Sequence, residues 1–142
     1  MMRLLMLIAL VLFAGCSTTG PAVVGKDHDL AKLKIAYVVS AGKNVYSGVS
    51  FSEYIKLELA EYGVAATSGP LGNKPNDVDF YITYVDRWSW DLAMYLSYLE
   101  INFFDNKSDQ LIASGLYKGG IFHKYPKPSE KTKEVISSIY RK

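Results

Sequence analysis

Side chains able to do acid–base, nucleophilic or metal chemistry are few in this sequence and do not form a set. His28 and His123 are the two histidines of the chain. His28 lies in a polar N-terminal segment, and His123 stands between Phe122 and Lys124 with no carboxylate beside it. A metal site or a Ser-His-Asp triad needs several converging side chains, so we interpret both histidines as surface residues. We therefore predict no catalytic residue, no metal site and no bound cofactor.

Carboxylates near the predicted strands suit ordinary roles at turns and strand ends. They are Asp77, Asp79, Asp86, Asp91 and Glu100. The turn 69–72, Gly-Pro-Leu-Gly, lacks the lysine and the following helix that a phosphate-binding loop needs. The residue types alone therefore indicate no active site.

Aromatic residues between positions 87 and 98 are the strongest candidates for a binding site. Trp88 and Trp90 have one residue between them in the segment Arg87–Asp91, so an extended backbone would point both to the same side. Trp and Tyr combine a large apolar area with a polar tip and are enriched among the residues that dominate interfaces. We predict partner binding by Trp88, Trp90, Tyr95 and Tyr98. The alternative is that the tryptophans plug the open end of the fold and that the tyrosines stabilise cross-strand pairing.

The N terminus has the pattern of a secretory signal. Arg3 is followed by the apolar run Leu4–Phe13, and the small residues Ala14 and Gly15 precede Cys16, the only cysteine. A basic start, a short apolar run and small residues are typical of a signal peptide. The run has about half of the roughly 20 apolar residues that a membrane-spanning helix needs. The sequence therefore predicts export of the chain without a transmembrane segment.

The residues 12–16, Leu-Phe-Ala-Gly-Cys, resemble the lipobox of bacterial lipoproteins, although Phe13 stands where most lipoboxes have leucine. In that family a diacylglycerol is attached to the cysteine through a thioether, and the signal is cut just before it. The resemblance implies that residues 1–15 are removed and that Cys16 carries a covalent lipid. Enterobacterial lipoproteins that are retained in the inner membrane have Asp directly after the cysteine. The Ser17 found here resembles the lipoproteins that are sorted to the outer membrane. We expect the protein to be anchored to the outer membrane, on its periplasmic side. The alternative is an ordinary secreted protein.

Length and charge limit the architecture of the chain beyond the signal. The chain has 142 residues, which suits a signal, a short tether and one domain. Sixteen Lys and Arg against fourteen Asp and Glu leave a formal net charge of +2, which argues against a nucleic-acid partner. We expect a flexible tether over 16–32 and a single α+β domain over 33–142. Such a tether would hold the domain roughly 20 to 25 Å from the membrane.

Hydrophobic patterns in the first half of the domain predict a strand, a helix and a second strand. The strands span Leu33–Ser40 and Val64–Thr67, and the helix spans Phe51–Tyr62. Ser50 and Glu53 match a capping box at the start of this helix. The residues 68–77 contain three turn signals and are expected to form an exposed loop.

The second half predicts an antiparallel meander. Val78–Arg87 and Leu92–Phe104 alternate apolar and polar residues, and Gln110–Tyr117 returns after a five-residue polar turn. The segment Arg87–Asp91 is predicted to be a hairpin turn or a wide bulge. A last helix is expected to begin at a Ser129 cap.

The element order β-α-β-β-β-β-α predicts an α+β two-layer sandwich, with a mostly antiparallel sheet and two helices on one face. The Cys16 signal, the β-α-β start Lys34–Thr67 and the segment Asp79–Asp91 resemble a group of small Gram-negative lipoproteins. The domain of that group is similar to the N-terminal domain of the Tol-Pal propeller protein and to penicillin-binding-protein activator lipoproteins. The resemblance covers about 33–142 and implies their fold, with no catalytic residue carried over.

We therefore expect a non-enzymatic, outer-membrane-anchored lipoprotein whose domain binds another protein of the cell envelope. The membrane is a partner through the lipid on Cys16. The alternatives are an envelope hydrolase or glycan-binding protein, which would need a cleft with a perturbed carboxylate or histidine, and a surface-exposed structural lipoprotein.

Overall fold

The computed structural model describes residues 18–20, 22–25, 28–40, 48–120 and 125–141. The predicted signal peptide, Cys16 and His123 lie outside these residues. The strands are β1 Thr18–Thr19, β2 Val23–Val24, β3 Ile35–Val39, β4 Ala65–Gly69, β5 Phe80–Asp91, β6 Ala93–Asp105 and β7 Leu111–Lys118, and the helices are α1 Phe51–Glu61 and α2 Pro128–Tyr140.

All described strands belong to one seven-stranded sheet with the order β1-β7-β6-β5-β3-β4, and β2 also pairs with β7. The meander β5-β6-β7 is antiparallel, whereas β3 is parallel to both β4 and β5. The parallel pair β3-β4 is joined by α1, because two parallel neighbours need a crossover connection. The predicted α+β fold with a mostly antiparallel sheet is confirmed.

Both helices pack on the same face of the sheet. Alternate strand residues point toward them and form the core, which includes Ala36, Val38, Phe80, Ile82, Leu99, Ile101, Phe103, Ala113 and Tyr117 from the sheet and Ile55, Leu59, Val135, Ile136 and Ile139 from the helices. Helix α2 lies so close to β7 that a Cβ added at Gly115 would be 2.8 Å from Val135 Cγ1. The opposite face of the sheet, which we call the uncovered face, carries no α-helix among the described residues.

Both helix starts differ from their predicted caps. The Ser50 side chain makes no capping hydrogen bond, and its hydroxyl lies 3.0 Å from the Ser52 hydroxyl. The neighbouring hydroxyl offers a local partner that competes with the backbone amides. Helix α2 begins at Pro128, one residue before the predicted Ser129 cap, since proline needs no hydrogen-bond partner at a first helical position.

The segment Arg87–Asp91 is not a turn. It continues β5, and Leu92 is the single residue between the paired Asp91 and Ala93. The register does shift between Arg87 and Trp88, but the resulting bulge is not in the predicted segment. The extra residue is Ser97 on β6, whose hydroxyl donates to the Arg87 carbonyl at 3.0 Å. The short segment between two predicted strands suggested a turn, but its residues belong to β5, with Arg87 and Asp91 exposed and Ser89 partly buried.

The described part of the predicted tether is attached to the sheet. Thr18–Thr19 and Val23–Val24 pair antiparallel with β7, and Gly25 N donates to the Ile112 carbonyl at 2.7 Å. The Thr19 hydroxyl also donates to Glu134 of α2 at 3.3 Å. Two-residue strands carry no periodicity, so the sequence could not reveal them. A freely flexible tether over 16–32 is therefore wrong for these residues.

Candidate functional site

The four residues predicted to bind a partner are divided among three surroundings. Trp88 is half-buried, with its ring centroid 6.4 Å from that of Phe51 at the start of α1. Its indole Nε1 donates to Asp86 Oδ2 at 2.7 Å. Trp90 is 71% exposed, although alternation directs it to the same side of β5. The two tryptophans therefore do not form one exposed surface, because α1 reaches only the first of them.

Trp90 belongs to an exposed apolar hairpin end, which we call the hairpin tip and define as residues 90–94. Leu92 is 89% exposed and has φ of 58°. A bulky residue in this left-handed region costs roughly 1 to 2 kcal/mol. Strain of this kind is often retained at functional positions. The tip is thus both apolar and conformationally costly.

Tyr95 lies beside the hairpin tip and contacts the segment that precedes α2. Its ring meets the Tyr125 ring edge-on, with 6.0 Å between centroids. The Tyr125 hydroxyl donates to the carbonyl of Asp91. These contacts tie the end of the hairpin to the rest of the domain, so its position is fixed from two sides.

Tyr98 lies on the uncovered face in a group that we call the Arg87 cluster, formed by Arg87, Tyr98, Glu100 and Asn102. The Arg87 guanidinium carbon lies 4.9 Å from the centroid of the Tyr98 ring. The Tyr98 hydroxyl donates to Glu100 Oε2 at 2.5 Å, and Asn102 Nδ2 donates to Glu100 Oε1 at 2.9 Å. Val85, 45% exposed, is paired with Glu100 across the two strands. The cluster is therefore a connected polar group beside an exposed apolar side chain.

Hydrogen bonding shifts the pKa values of two residues in this cluster, Glu100 and Tyr98. The bond from Tyr98 is the largest cause that lowers the pKa of Glu100, followed by the bond from Asn102 and, as a smaller effect, the Arg87 charge. The same Glu100 bond is the largest cause that raises the pKa of Tyr98. At neutral pH the carboxylate is ionised and the phenol is protonated. The pair consequently suits recognition by charge and hydrogen bonding rather than proton transfer.

The other end of the uncovered face is covered by the loop that follows β4. The Tyr37 hydroxyl donates to the Pro70 carbonyl at 2.9 Å, and Lys74 Nζ lies 4.6 Å from the centroid of the Tyr81 ring. Tyr81 in turn stacks on Phe104, with 5.2 Å between centroids. The accessible part of this face therefore lies around the Arg87 cluster and Val85.

The carboxylates near strands have partners within the fold. Asp79 Oδ2 accepts from the amides of Lys34 and Ile35 at 2.7 and 2.9 Å, which fixes the start of β3. Asp105 Oδ1 accepts from the amides of Lys107 and Ser108 at 3.0 and 2.8 Å, and the Ser108 amide bond is the largest cause that lowers its pKa. Both carboxylates are therefore accounted for as structural groups.

A cleft of about 460 Å³, which the sequence did not indicate, lies where the C-terminal ends of the two helices meet. Its lining includes His28, Lys34, Tyr62, Tyr140 and Arg141. The rings of Tyr62 and Tyr140 stack with 4.0 Å between centroids, and burial raises the pKa of Tyr140 to about 12. The cleft has basic and aromatic groups, but a nucleophile or carboxylate is missing from its described lining.

The described ranges contain neither a cluster of metal ligands nor a membrane-spanning helix. No group of three or more His, Cys, Asp or Glu residues among them could hold a metal ion. No helix in the described part of the chain is long and apolar enough to cross a membrane.

Comparisons with known proteins show similarity of fold. No protein-family model matches the chain, and no curated protein matches it in sequence. The PelC dodecamer from Paraburkholderia phytofirmans matches with a TM-score of 0.53 and 12% identity, over 87% of this chain and 91% of that chain. A PDZ domain protein from Parabacteroides distasonis matches with a TM-score of 0.55 and 13% identity, over 99% of this chain and 40% of that chain. At such identities the similarity shows a shared fold alone.

TolB from Acinetobacter baumannii is also among the similar structures. Its TM-score is 0.48 at 12% identity, over 84% of this chain and 30% of that chain. A value this low carries no argument about this chain. The expected relation to the Tol-Pal propeller protein and the lipoprotein assignment therefore stay predictions from the sequence.

Proposed function

We propose that this chain is a non-enzymatic lipoprotein of the bacterial cell envelope that binds another envelope protein through its uncovered face. In this proposal Cys16 is acylated and holds the domain on the periplasmic side of the outer membrane. The observation that carries the binding assignment is the Arg87 cluster with Val85 beside it. The lipid assignment depends on the sequence of residues 1–16.

The composition of the Arg87 cluster favours a protein partner. Arg and Tyr are among the residues that most often dominate the free energy of protein association. Here the guanidinium already lies over the Tyr98 ring, and the Tyr98 and Asn102 side chains are already bonded to Glu100. Because these side chains are ordered before binding, little rotamer entropy is lost when a partner docks. The cluster holds both a cation and an anion, which favours a partner with complementary charges.

The charge states support a binding role over a hydrolytic one. A general acid made from a carboxylic acid needs a raised pKa, whereas hydrogen bonds lower the pKa of Glu100. Of the predicted site residues, Tyr98 belongs to the proposed protein-binding surface. Trp88 is omitted because it packs on Phe51.

Photo-crosslinking in cells tests the protein-binding assignment. A benzophenone side chain at Val85 should capture one envelope protein, and Tyr98→Ala should reduce the yield several-fold. The matched control is the same probe at Leu57, which is 67% exposed on α1, and it should not capture that protein. Equal capture from both positions, or none from Val85, would contradict the assignment. An adduct of twice the chain mass would mean that a second copy occupies the surface.

Metabolic labelling with a palmitate analogue tests the anchor separately. The chain should carry the label, and Cys16→Ala should abolish it. Labelling that persists in Cys16→Ala, or that is absent from the wild-type chain, would contradict acylation at this residue. Protease added to intact cells should leave the domain uncut, because cleavage would favour the surface-exposed alternative.

A further inference from the structure

Thr18, the first described residue, lies at the end of β1 that is nearer to the hairpin tip. Thr18 is paired with Lys118, Lys118 with Tyr98, and Tyr98 with Arg87, so these residues form one row across the sheet. Strand β1 is antiparallel to β7, and β7 is antiparallel to β6. A step from Thr19 back to Thr18 therefore runs in the same direction as a step from Tyr98 toward the tip.

The hairpin tip extends farther from this row than the attachment point can. Cys16 precedes Thr18 by two positions, and two residues span at most about 7 Å. Asp91 follows Arg87 by four positions along β5, which corresponds to about 13 Å of extended strand. The hairpin tip therefore projects beyond the level that Cys16 can reach, so a membrane surface held by a lipid on Cys16 would meet the tip.

The side chains at the tip suit the interface between lipid and water. Trp90 and Leu92 are 71% and 89% exposed, and Tyr125, bonded to the Asp91 carbonyl, is 44% exposed. Trp and Tyr are enriched at membrane–water interfaces, where an apolar ring and a polar tip are both satisfied. Such an exposed apolar group is otherwise unfavourable on a water-soluble domain.

Charged residues fit the same orientation. Lys118 is exposed and lies in the row behind the tip, where a basic side chain could reach lipid phosphates. Asp91 is the acidic residue at the tip, which limits insertion to the interfacial layer. This end of the domain is therefore apolar at the hairpin tip and basic in the row behind the tip.

We propose that the hairpin tip inserts into the interfacial layer of the membrane that holds the lipid on Cys16. This inference rests on the acylation of Cys16 stated under the proposed function. The tip is then a second, intramolecular contact that strengthens attachment by proximity. It also sets the strands upright on the membrane, so that the Arg87 cluster faces sideways toward a neighbouring protein.

Fluorescence quenching of the full acylated protein tests this contact. In Trp88→Phe the only tryptophan is Trp90, and in the matched control Trp90→Phe it is Trp88. Each protein is placed in vesicles of phosphatidylethanolamine and phosphatidylglycerol that contain lipid brominated on its acyl chains. Bromolipid should quench Trp90 at least about twofold more than Trp88, because only the tip meets the lipid.

The pattern of quenching shows whether lipid, water or protein surrounds the hairpin tip. Strong quenching of Trp90 by aqueous iodide, without quenching by bromolipid, would overturn the inference. Shielding of Trp90 from both quenchers would mean that protein covers the tip and would overturn it as well. In either case, a mass spectrum that shows the lipid on Cys16 would mean that the proposed function is not contradicted. A chain that lacks the lipid overturns the acylation and this inference with it.

A second probe avoids dependence on the folding of Trp88→Phe. In Leu92→Cys the new thiol is the only free cysteine, since Cys16 carries the lipid. A polarity-sensitive fluorophore on this thiol should shift to shorter wavelength in the vesicles, and one at Leu57→Cys on α1 should not. Equal emission from both positions would contradict insertion of the tip.

Discussion

Trp88 and Trp90 occupy the same side of the same strand, yet only one of them is available to a partner. Trp88 is half-buried and contacts Phe51 at the start of α1 and Asp86, whereas Trp90, farther along β5, is 71% exposed. Alternation along a strand therefore fixes the side to which a residue points, and the position at which the covering helix begins fixes its exposure. Identical residue types in one motif have a packing role in one case and a surface role in the other.

Alanine substitutions should separate the two tryptophans most strongly. Trp88→Ala should lower the free energy of unfolding by about 2 to 3 kcal/mol, because a half-buried aromatic ring leaves a cavity against Phe51. Trp90→Ala should change it by about 0.5 kcal/mol or less, as exposed substitutions do. Urea denaturation of both variants measures the difference. Equal losses would mean that Trp90 is also part of the core.

Substitution of Leu92 should increase the stability of the fold, whereas most substitutions decrease stability. Leu92→Gly should raise the free energy of unfolding by about 1 kcal/mol, because glycine adopts φ of 58° without steric cost. The matched control Leu57→Gly, in the middle of α1, should lower it by about 1 kcal/mol. Denaturation curves of the two variants should therefore move in opposite directions. A loss at Leu92 would show that its side chain is packed rather than exposed.

The Asp86 carboxylate tests how Trp88 is held. Asp86→Asn should cost about 1 kcal/mol of stability, because the indole donor would face a neutral acceptor instead of a carboxylate. In Trp88→Phe, which has no indole N–H, the same substitution should cost less. This double-mutant cycle measures the coupling, and additive losses would place the effect of Asp86 elsewhere.

Substitution of Glu100 on the uncovered face should have the smallest effect on the free energy of unfolding, and this effect should depend on pH. Hydrogen bonds from Tyr98 and Asn102 lower the pKa of Glu100 in the folded state. The corresponding stability is present above the unfolded pKa of about 4.3 and is lost as the pH falls through the lower folded value. Unfolding measured from pH 6 to pH 3 should therefore show a slightly steeper loss in the unmodified chain than in Glu100→Gln. Identical profiles would mean that the bonds do not form in solution.

The fold was largely predictable because its core follows simple periods. The alternation predicted for Val78–Arg87 and the helical spacing from Phe51 to Leu59 are both present in the structure. The two-residue strands of the N-terminal segment were missed, since pairing of so few residues depends on the edge of β7 and not on a local pattern. The sequence therefore predicts elements better than it predicts the segments that attach to a sheet edge.

The candidate site was predictable only in its residue types. Of the four aromatic residues predicted to bind a partner, Trp90 is exposed and the other three are partly buried. Trp88 and Trp90 were also predicted to act together. Their separation depends on where α1 begins, and the Arg87 cluster depends on the register of β5 and β6. The cleft near Tyr140 joins residues that are distant in sequence, so no local signal could indicate it.

Two photo-crosslinking positions compared in the same cells test the account most directly. A benzophenone at Val85, on the uncovered face, should yield an adduct with an envelope protein. The same group at Trp90, at the hairpin tip, should yield adducts with lipid. Protein adducts from Trp90 and lipid adducts from Val85, or the same adduct from both, would contradict the assignment of two surfaces to two partners.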